Sequence, residues 1–300
     1  MKLFTKIALG ISGFFFCVAA ICLVAAVMMG GTLADVKNMV EDGKFSFGPE
    51  DGFHIQVWGD NGLDFDINLG DNQEEYTERE ILHDCNKIYL EVAFGKIDIY
   101  YDDVEYVQVE QKNIPGFSVT TSESEKSLHI EGDVSMINTS GAELTVILPR
   151  DVELEEVQMD AGASQVTIRD LVMEKFDFTI GAGQANISDV SATECDIEVG
   201  AGEAIVKNLS VKELDVDAGV GKVDIEIAGA ETDYNYDVEC GIGAVTVGDR
   251  SFGGMGASQR ITNNGAKHHM DIACGVGEIT MRFICDVTDG TCEEASHNHN

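Results

Sequence analysis

The sequence predicts an all-β protein, a β-solenoid-like stack of strands preceded by one N-terminal transmembrane helix. Glycine triplets recur every 19 residues, and apolar and polar residues alternate on both sides of each triplet. An alternation with a period of two is typical of half-buried strands. Proline is rare, with 3 in 300 residues, and an uncharged apolar block opens the chain. Together these features predict repeated strands outside a membrane anchor.

The apolar block, residues 7–29, predicts a single-pass anchor. It contains no charged residue, and its 23 residues suffice for a helix to cross a hydrocarbon core about 30 Å thick. Lys2 and Lys6 precede it, and no acid occurs before Asp35. By the positive-inside rule, residues 1–6 form a cytoplasmic tip, and the ectodomain lies outside the cell membrane. A signal peptide cleaved near residues 32–34 is the alternative, and it too predicts export.

Residues 30–84 predict an acidic stalk or linker. Within it, alternating residues 53–58 and 63–67 flank the Gly59–Gly62 turn and predict a hairpin. An isolated hairpin is only marginally stable in water, which favours a stalk over a domain. Residues 286–300 are predicted to be a C-terminal tail.

The predicted ectodomain, residues 85–285, is built from one repeated unit. The corner triplets begin at Gly162, Gly181, Gly200 and Gly219, with looser copies at Gly241 and Gly275 and a degenerate copy at Ala93. Residues five, three and one before each triplet are apolar, as are most of those four and six after it. Each repeat therefore predicts a strand, a tight corner and a second strand, since glycine tolerates positive φ and close backbone approach. One repeat cannot cover its own apolar face, so the copies must stack, about 4.8 Å apart.

An irregular sandwich is the alternative for residues 88–150. Four further strands are predicted there, at Val104–Val109, Phe117–Thr120, Ser127–Glu131 and Glu143–Leu148.

The repeats also resemble a known family. The strand Leu144–Pro149 leads through Val157–Asp160 into successive Gly-Ala-Gly corners. Together with the N-terminal anchor, this pattern is similar to the bacterial putative adhesin family, a domain of unknown function common in exported Firmicutes proteins. The likeness covers about residues 85–285. It implies a β-solenoid-like envelope protein, sometimes encoded beside envelope-stress regulators, and it names no ligand.

Two acidic columns accompany the corners. Four residues before each corner stand Asp177, Asp196, Asp215, Asp237 and Asp271, and two before it stand Asp160, Thr179, Glu198, Asp217 and Glu239. In-register stacking would place like charges about 4.8 Å apart, where each neighbouring pair repels by about 1 kcal/mol even in water. Carboxylate oxygens suit Ca²⁺ or Mg²⁺, so the five aspartates are candidate ligands of a divalent-cation ladder. A solvated acidic face is the alternative.

The cysteines and histidines give weaker signals. Cys240 and Cys274 occupy the same inward position in two repeats, and a disulfide follows if those repeats are adjacent. Cys285 and Cys292 flank a short loop and are a second candidate pair; buried thiols are the alternative. His268-His269 and the terminal His297 and His299 are weak transition-metal motifs, more typical of a solvated loop and tail.

The charge of the chain and the absence of catalytic sequence motifs limit the possible functions. The formal net charge of −35 repels nucleic acid and favours cationic partners. No nucleophile elbow, zinc-protease motif or phosphate loop occurs in the sequence. We therefore expect a non-enzymatic, membrane-anchored envelope protein that serves as a binding or adhesion scaffold. A sensor or accessory subunit of an envelope-stress system is the alternative, and a Ca-dependent β-helix polysaccharide lyase is a remote one.

Overall fold

A computed structural model describes the backbone of four strands between Lys44 and Leu82. It describes residues 85–114, 116–132, 141–253, 256–263 and 265–284 with their side chains. The predicted cytoplasmic tip, anchor 7–29 and tail 286–300 lie outside the described residues, as do Cys285, Cys292, His297 and His299. In the described part of the chain, no helix has the length and apolar character needed to cross a bilayer.

The described residues form 18 strands and one 3-10 turn at Glu231–Asp233. The strands are β1 (Lys44–Phe47), β2 (His54–Trp58), β3 (Asp64–Asn68), β4 (Thr77–Leu82), β5 (Lys87–Asp102), β6 (Val107–Lys112), β7 (Ser118–Ser122), β8 (Ser127–Gly132), β9 (Glu143–Pro149), β10 (Leu154–Arg169), β11 (Met173–Ser191), β12 (Glu194–Ser210), β13 (Glu213–Ala228), β14 (Tyr234–Cys240), β15 (Ala244–Val247), β16 (Arg250–Gly253), β17 (Ala257–Ile261) and β18 (His268–Ile284). The all-β class is therefore confirmed.

Six long strands form the rungs of a parallel stack, in the spatial order β5-β10-β11-β12-β13-β18. Each bends at its glycine triplet into a first arm before the corner and a second arm after it. Neighbouring rungs pair in register, so that Phe178 lies beside Ile197 and Ile187 beside Val206. The 19-residue period of the sequence is thus the period of the solenoid-like fold.

The rungs at both ends of the stack are divided between two strands. β8 pairs with the first arm of β5 and β9 with its second arm, both in parallel. At the other end, β14 and β15 pair in the same way with the two arms of β18. The strands predicted at Ser127–Glu131 and Glu143–Leu148 therefore extend the stack, whereas β6 and β7 pair antiparallel with β9 and β8 at its edge.

Rung order differs from chain order at the C-terminal end. β18 is the last of the described strands, yet it lies between β13 and β14. The intervening β16 and β17 pair antiparallel with β15 and β14. The repeat at Gly275 is therefore the inner neighbour of the repeat at Gly241.

The core lies between the two arms of each rung. In β11, the predicted inward residues Phe176, Phe178 and Ile180 before the corner are fully buried, as are Ala185 and Ile187 after it. The alternation skips one residue at the corner, so both arms turn their apolar side chains to the same core. Burial of the repeated apolar columns is the main force that stabilises the stack.

The corner glycines are required mainly by close stacking. A Cβ on Gly200 would lie 2.5 Å from the carbonyl oxygen of Gly181 on the next rung. Among the described corner glycines, positive φ occurs at Gly95 and Gly183, both at 130°, and both are paired with the buried Ser164. The expectation of positive φ is thus met at these two corners, while the others need glycine for its missing side chain.

The chain turns a second time between successive rungs, and the residues at this second corner are not glycines. Asp170, Asp189 and Asn208, each 19 residues apart, have φ of 59°, 55° and 54°. Aspartate and asparagine are the non-glycine residues that best tolerate this left-handed region. The Nδ2 of Asn208 also donates a 2.7 Å hydrogen bond to Oδ1 of Asp189. These residues define a second ladder of corners that the glycine pattern does not reveal.

Asp189→Val should lower the free energy of unfolding by about 1–2 kcal/mol, because a β-branched residue is strained in the left-handed region. Urea denaturation followed by circular dichroism measures the change. Asp189→Asn keeps the local hydrogen-bonding capacity and should be nearly neutral. Equal stability of the two variants would contradict a left-handed backbone conformation at residue 189.

The N-terminal strands form a smaller antiparallel sheet in the order β1-β2-β3. The register sets Ile55 beside Ile67, so the predicted hairpin is confirmed in β2 and β3. β4 instead pairs with β6, which brings a strand from before residue 85 into the large sheet.

Candidate functional site

The predicted aspartate ladder exists as an in-register column on the outward face of the first arms. Its spatial order is Asp177, Asp196, Asp215, Asp271, Asp237 on five neighbouring rungs. The last two are exchanged relative to the chain because β18 is inserted before β14. Every one of the five has an aspartate as its direct neighbour.

A second column runs beside the first, two residues closer to the corner. Asp160, Thr179, Glu198 and Asp217 follow one another across β10 to β13. Ala273 of β18 then separates Asp217 from Glu239. We call these two columns together the acidic face.

Protein cations neutralise both ends of the aspartate column. Nζ of Lys175 lies 2.6 Å from Oδ2 of Asp177 and 3.8 Å from Oε1 of Glu156. At the other end, the Arg260 guanidinium donates to both carboxylate oxygens of Asp237, at 2.5 and 2.7 Å. These hydrogen bonds hold the pKa of Asp237 below its ordinary value. Both end carboxylates are therefore paired with a protein cation.

Arg260 is a component of the face that the sequence reasoning missed. It belongs to β17, which has no repeat pattern, and antiparallel pairing sets it directly opposite Asp237. Position in the repeat predicts neighbours within the stack but not those contributed by an insertion.

The middle of the acidic face lacks such cations. Among the described residues, no lysine or arginine nitrogen lies within 4.0 Å of the carboxylates of Asp196, Asp215 or Asp217. The pKa of Asp196 is raised to about 6, mainly by burial and in addition by the charges of Asp215, Glu198 and Asp177. Burial also raises the pKa of Asp217 to about 6, with Asp215 and Glu198 as the next causes. The central carboxylates are thus crowded and partly desolvated, and the nearest protein cation, Lys175, lies beyond salt-bridge distance of Asp196 and only partly offsets the charge around it.

Asp215 lies between Asp196 and Asp271 in the aspartate column. Partial burial raises its pKa, and the charges of Asp271 and Glu198 add to the effect, although much of the side chain remains in solvent. The column is therefore electrostatically continuous from Asp196 to Asp271.

The two adjacent histidines have different environments. Nε2 of His269 lies 3.3 Å from Oδ2 of Asp271, and the ligand atoms of His269, Asp271 and Asp237 lie within 4.8 Å of one another. His268 instead places its ring 5.2 Å from the ring of Tyr234. Of the predicted His268-His269 motif, only His269 therefore joins the acidic face.

Comparison with known proteins identifies the family. The model of the Toastrack DUF4097 family matches residues 94–255, which is more than half of the chain. This match confirms the resemblance predicted from the repeats. Among curated proteins, none matches the chain.

Solved structures to which the chain is similar include three bacterial proteins. A putative cell adhesion protein from Clostridium sporogenes is 15% identical, with 70% of this chain and 100% of that chain covered and a TM-score of 0.38. A putative adhesin from Bacteroides fragilis is 12% identical, with coverages of 70% and 98% and a TM-score of 0.41. A putative lipid binding protein from Parabacteroides distasonis is 12% identical, with coverages of 70% and 97% and a TM-score of 0.27. Identities this low carry no information about ligands.

Proposed function

We propose that this chain, which belongs to the Toastrack DUF4097 family, is a non-enzymatic, membrane-anchored cell-envelope protein whose acidic face is a cation-dependent binding scaffold. The observation that carries the proposal is the contrast within the acidic face. Its two ends are neutralised by Lys175 and Arg260, whereas its centre keeps a continuous set of carboxylates without such partners. A bound cation would supply the missing charge.

The chemistry of the centre suits a hard divalent cation. Asp196, Asp215 and Asp271 offer carboxylate oxygens from consecutive rungs, and Glu198 and Asp217 offer more from the next column. Ca²⁺ takes six to eight oxygen ligands in flexible geometry, while Mg²⁺ keeps several of its waters. A cation held between neighbouring rungs would offset the repulsion that raises the pKa of Asp196 and Asp217.

A neighbouring apolar ridge supports the scaffold role. The middle residues of the last three corners are Val220, Val276 and Ile242, on adjacent rungs. Val276 is 47% exposed and Ile242 is 70% exposed. Exposed aliphatic side chains beside a polar rim are typical of surfaces that bind another molecule. We expect such a partner to be cationic, because the chain carries a formal net charge of −35.

Membrane anchoring rests on the sequence alone. The uncharged residues 7–29, preceded by Lys2 and Lys6, support an uncleaved single-pass anchor with the solenoid on the extracytoplasmic side. The acidic face would then be presented to the envelope at the cell surface.

The test is a thermal unfolding series on the full chain, purified in mild detergent, with CaCl₂ or MgCl₂ titrated against NaCl of equal ionic strength. A ligand that binds only the folded state raises the unfolding midpoint with its concentration. We expect a rise beyond the NaCl series for the wild type.

Two double variants make the test specific. Asp196→Asn with Asp215→Asn should abolish the divalent effect. Asp151→Asn with Glu153→Gln removes the same charge from an exposed turn and should retain it. A divalent effect of the same size in both variants, or none in the wild type, would contradict cation binding by the acidic face.

A further inference from the structure

Cys240 and Cys274 are directly paired across two neighbouring rungs. β14 and β18 run parallel, and their register sets the two cysteines side by side. Both are buried, at 3% and 4% exposure, and both are thiols in the structure. The pKa of Cys274 is raised to about 11, mainly by burial and in addition by contact with the Cys240 thiol, including a hydrogen bond. The predicted adjacency of these two repeats is confirmed, with β18 as the inner rung.

The backbone geometry suits a covalent bond between them. Neighbouring strands lie about 4.8 Å apart, within the range of about 4.4–6.8 Å that disulfides span between Cα atoms. A Cβ on Gly243 would come within 2.8 Å of Sγ of Cys274, so the glycine leaves room for the sulfur. Each cysteine is also followed by a glycine, Gly241 or Gly275, which eases small backbone adjustments.

Cys195 provides an internal contrast. It is 4% exposed and lies near the start of a first arm, five residues before its corner, whereas the paired cysteines lie one residue before theirs. Its neighbours on the adjoining rungs are Phe176 and Leu214. Burial in the same kind of core therefore does not by itself bring two thiols together.

The position of the pair gives such a bond a structural consequence. After Cys240 the chain completes the end rung with β15, then adds β16 and β17 antiparallel to β15 and β14, and only then returns in β18 between β13 and β14. A bond between the two cysteines would close this segment and fix β18 in its rung. Asp237 and Asp271 lie three residues before the cysteines on the same strands, so the spacing at this end of the acidic face would be fixed too.

We propose that Cys240 and Cys274 are an oxidisable pair that forms a disulfide and covalently closes the C-terminal end of the stack. The oxidant is a small-molecule disulfide such as oxidised glutathione. One cysteine thiolate attacks it, which releases the first glutathione and leaves a mixed disulfide. The second cysteine thiolate then displaces the remaining glutathione. Two electrons and the two thiol protons pass to two molecules of reduced glutathione, and one protein disulfide is formed.

The experiment uses the full chain, purified in mild detergent and equilibrated with oxidised or reduced glutathione. Free thiols are alkylated under denaturing conditions, and tryptic peptides are analysed by mass spectrometry. We expect a linked peptide containing Cys240 and Cys274 after oxidation only, with Cys195 alkylated in both samples. The linked-peptide readout needs no variant and is independent of cation binding. Full alkylation of both cysteines after oxidation, or linkage of either to another cysteine, would overturn the proposal.

Thermal unfolding tests whether the bond fixes the rung. Closing a loop of this length should raise the unfolding midpoint of the oxidised protein by about 10 °C over the reduced protein. Cys240→Ser should remove the difference between oxidised and reduced samples, and Cys195→Ser should leave it in place. A linked peptide without any rise in the midpoint would overturn the proposal that the disulfide fixes the C-terminal end of the stack.

Discussion

Gly202→Ala should lower the unfolding midpoint by about 10 °C or prevent folding of the ectodomain. A Cβ at this position would overlap the carbonyl oxygen of Gly183 on the adjacent rung. The atom it meets belongs to the backbone, which rung pairing holds in place, and not to a flexible side chain. Relief therefore requires the rungs to separate, at a cost of at least about 3 kcal/mol, and each kcal/mol corresponds to about 2–4 °C in a domain of this size.

The effect should extend along the stack. The other face of the same corner is equally tight, since a Cβ on Gly221 would overlap the carbonyl oxygen of Gly202. A shift of the Gly202 corner toward β13 is therefore blocked, and the strain cannot be absorbed by one neighbour. Differential scanning calorimetry of the variant and the wild type measures the change.

Gly253→Ala is the matched control. Gly253 lies in a strand, β16, and a Cβ there would find its nearest neighbour, the carbonyl oxygen of Gly243, at 3.8 Å. This substitution should leave the midpoint within a few degrees of the wild type. If the two glycine variants melted alike, close stacking of the corners would not explain why they are glycine.

The stack could be predicted from the sequence because the pattern that specifies it is local and is repeated in every rung. Each rung carries the same inward columns, so the period of 19 residues fixes the register once two copies are aligned, as Phe178 and Ile197 illustrate. The same period places Asp177, Asp196 and Asp215 in one column. In such folds, each copy contacts mainly its neighbours, and neighbour contacts can be derived from the repeat.

The other features of the fold and of the acidic face depend on strand pairings that no local sequence pattern predicts. The insertion of β18 between β13 and β14 reverses Asp271 and Asp237 in space, although both carry the repeat signature. Arg260 reaches Asp237 from β17, which lies outside the repeats. The left-handed residues of the second corner, such as Asp189, follow the repeat period, but aspartate and asparagine are too common in this acidic chain to stand out.

Acidification from pH 7 to pH 5 should raise the unfolding midpoint of the ectodomain at low ionic strength without divalent cations. The pKa of Asp196 and of Asp217 is raised from 3.8 to about 6 in the folded state. A carboxyl group with a raised folded-state pKa favours the folded state when protonated. Its contribution is complete below the unfolded value near 3.8 and is lost as the pH rises through about 6. The folded protein therefore binds more protons than the unfolded chain within this window, and stability must increase as the pH falls.

Asp237 acts in the opposite direction but outside this window. Arg260 lowers its pKa below 3.8, so its stabilising contribution is present above that value and is lost only in stronger acid. Between pH 7 and pH 5, the titration of Asp237 therefore does not offset the contribution of the central carboxylates.

The double variant Asp196→Asn with Asp217→Asn separates this cause from general acid effects. It removes both titrating groups and their mutual repulsion, so its midpoint at pH 7 should exceed that of the wild type and should change little between pH 7 and pH 5. The control Asp151→Asn with Glu153→Gln should keep the wild-type pH dependence, because it leaves the acidic face unchanged. A wild-type midpoint that stays constant or falls on acidification would show that the centre of the face is already neutralised, by a cation or by solvent. Where the wild-type midpoint does rise on acidification, saturating Ca²⁺ should flatten the rise in the wild type and in the control variant, because a bound cation competes with the protons.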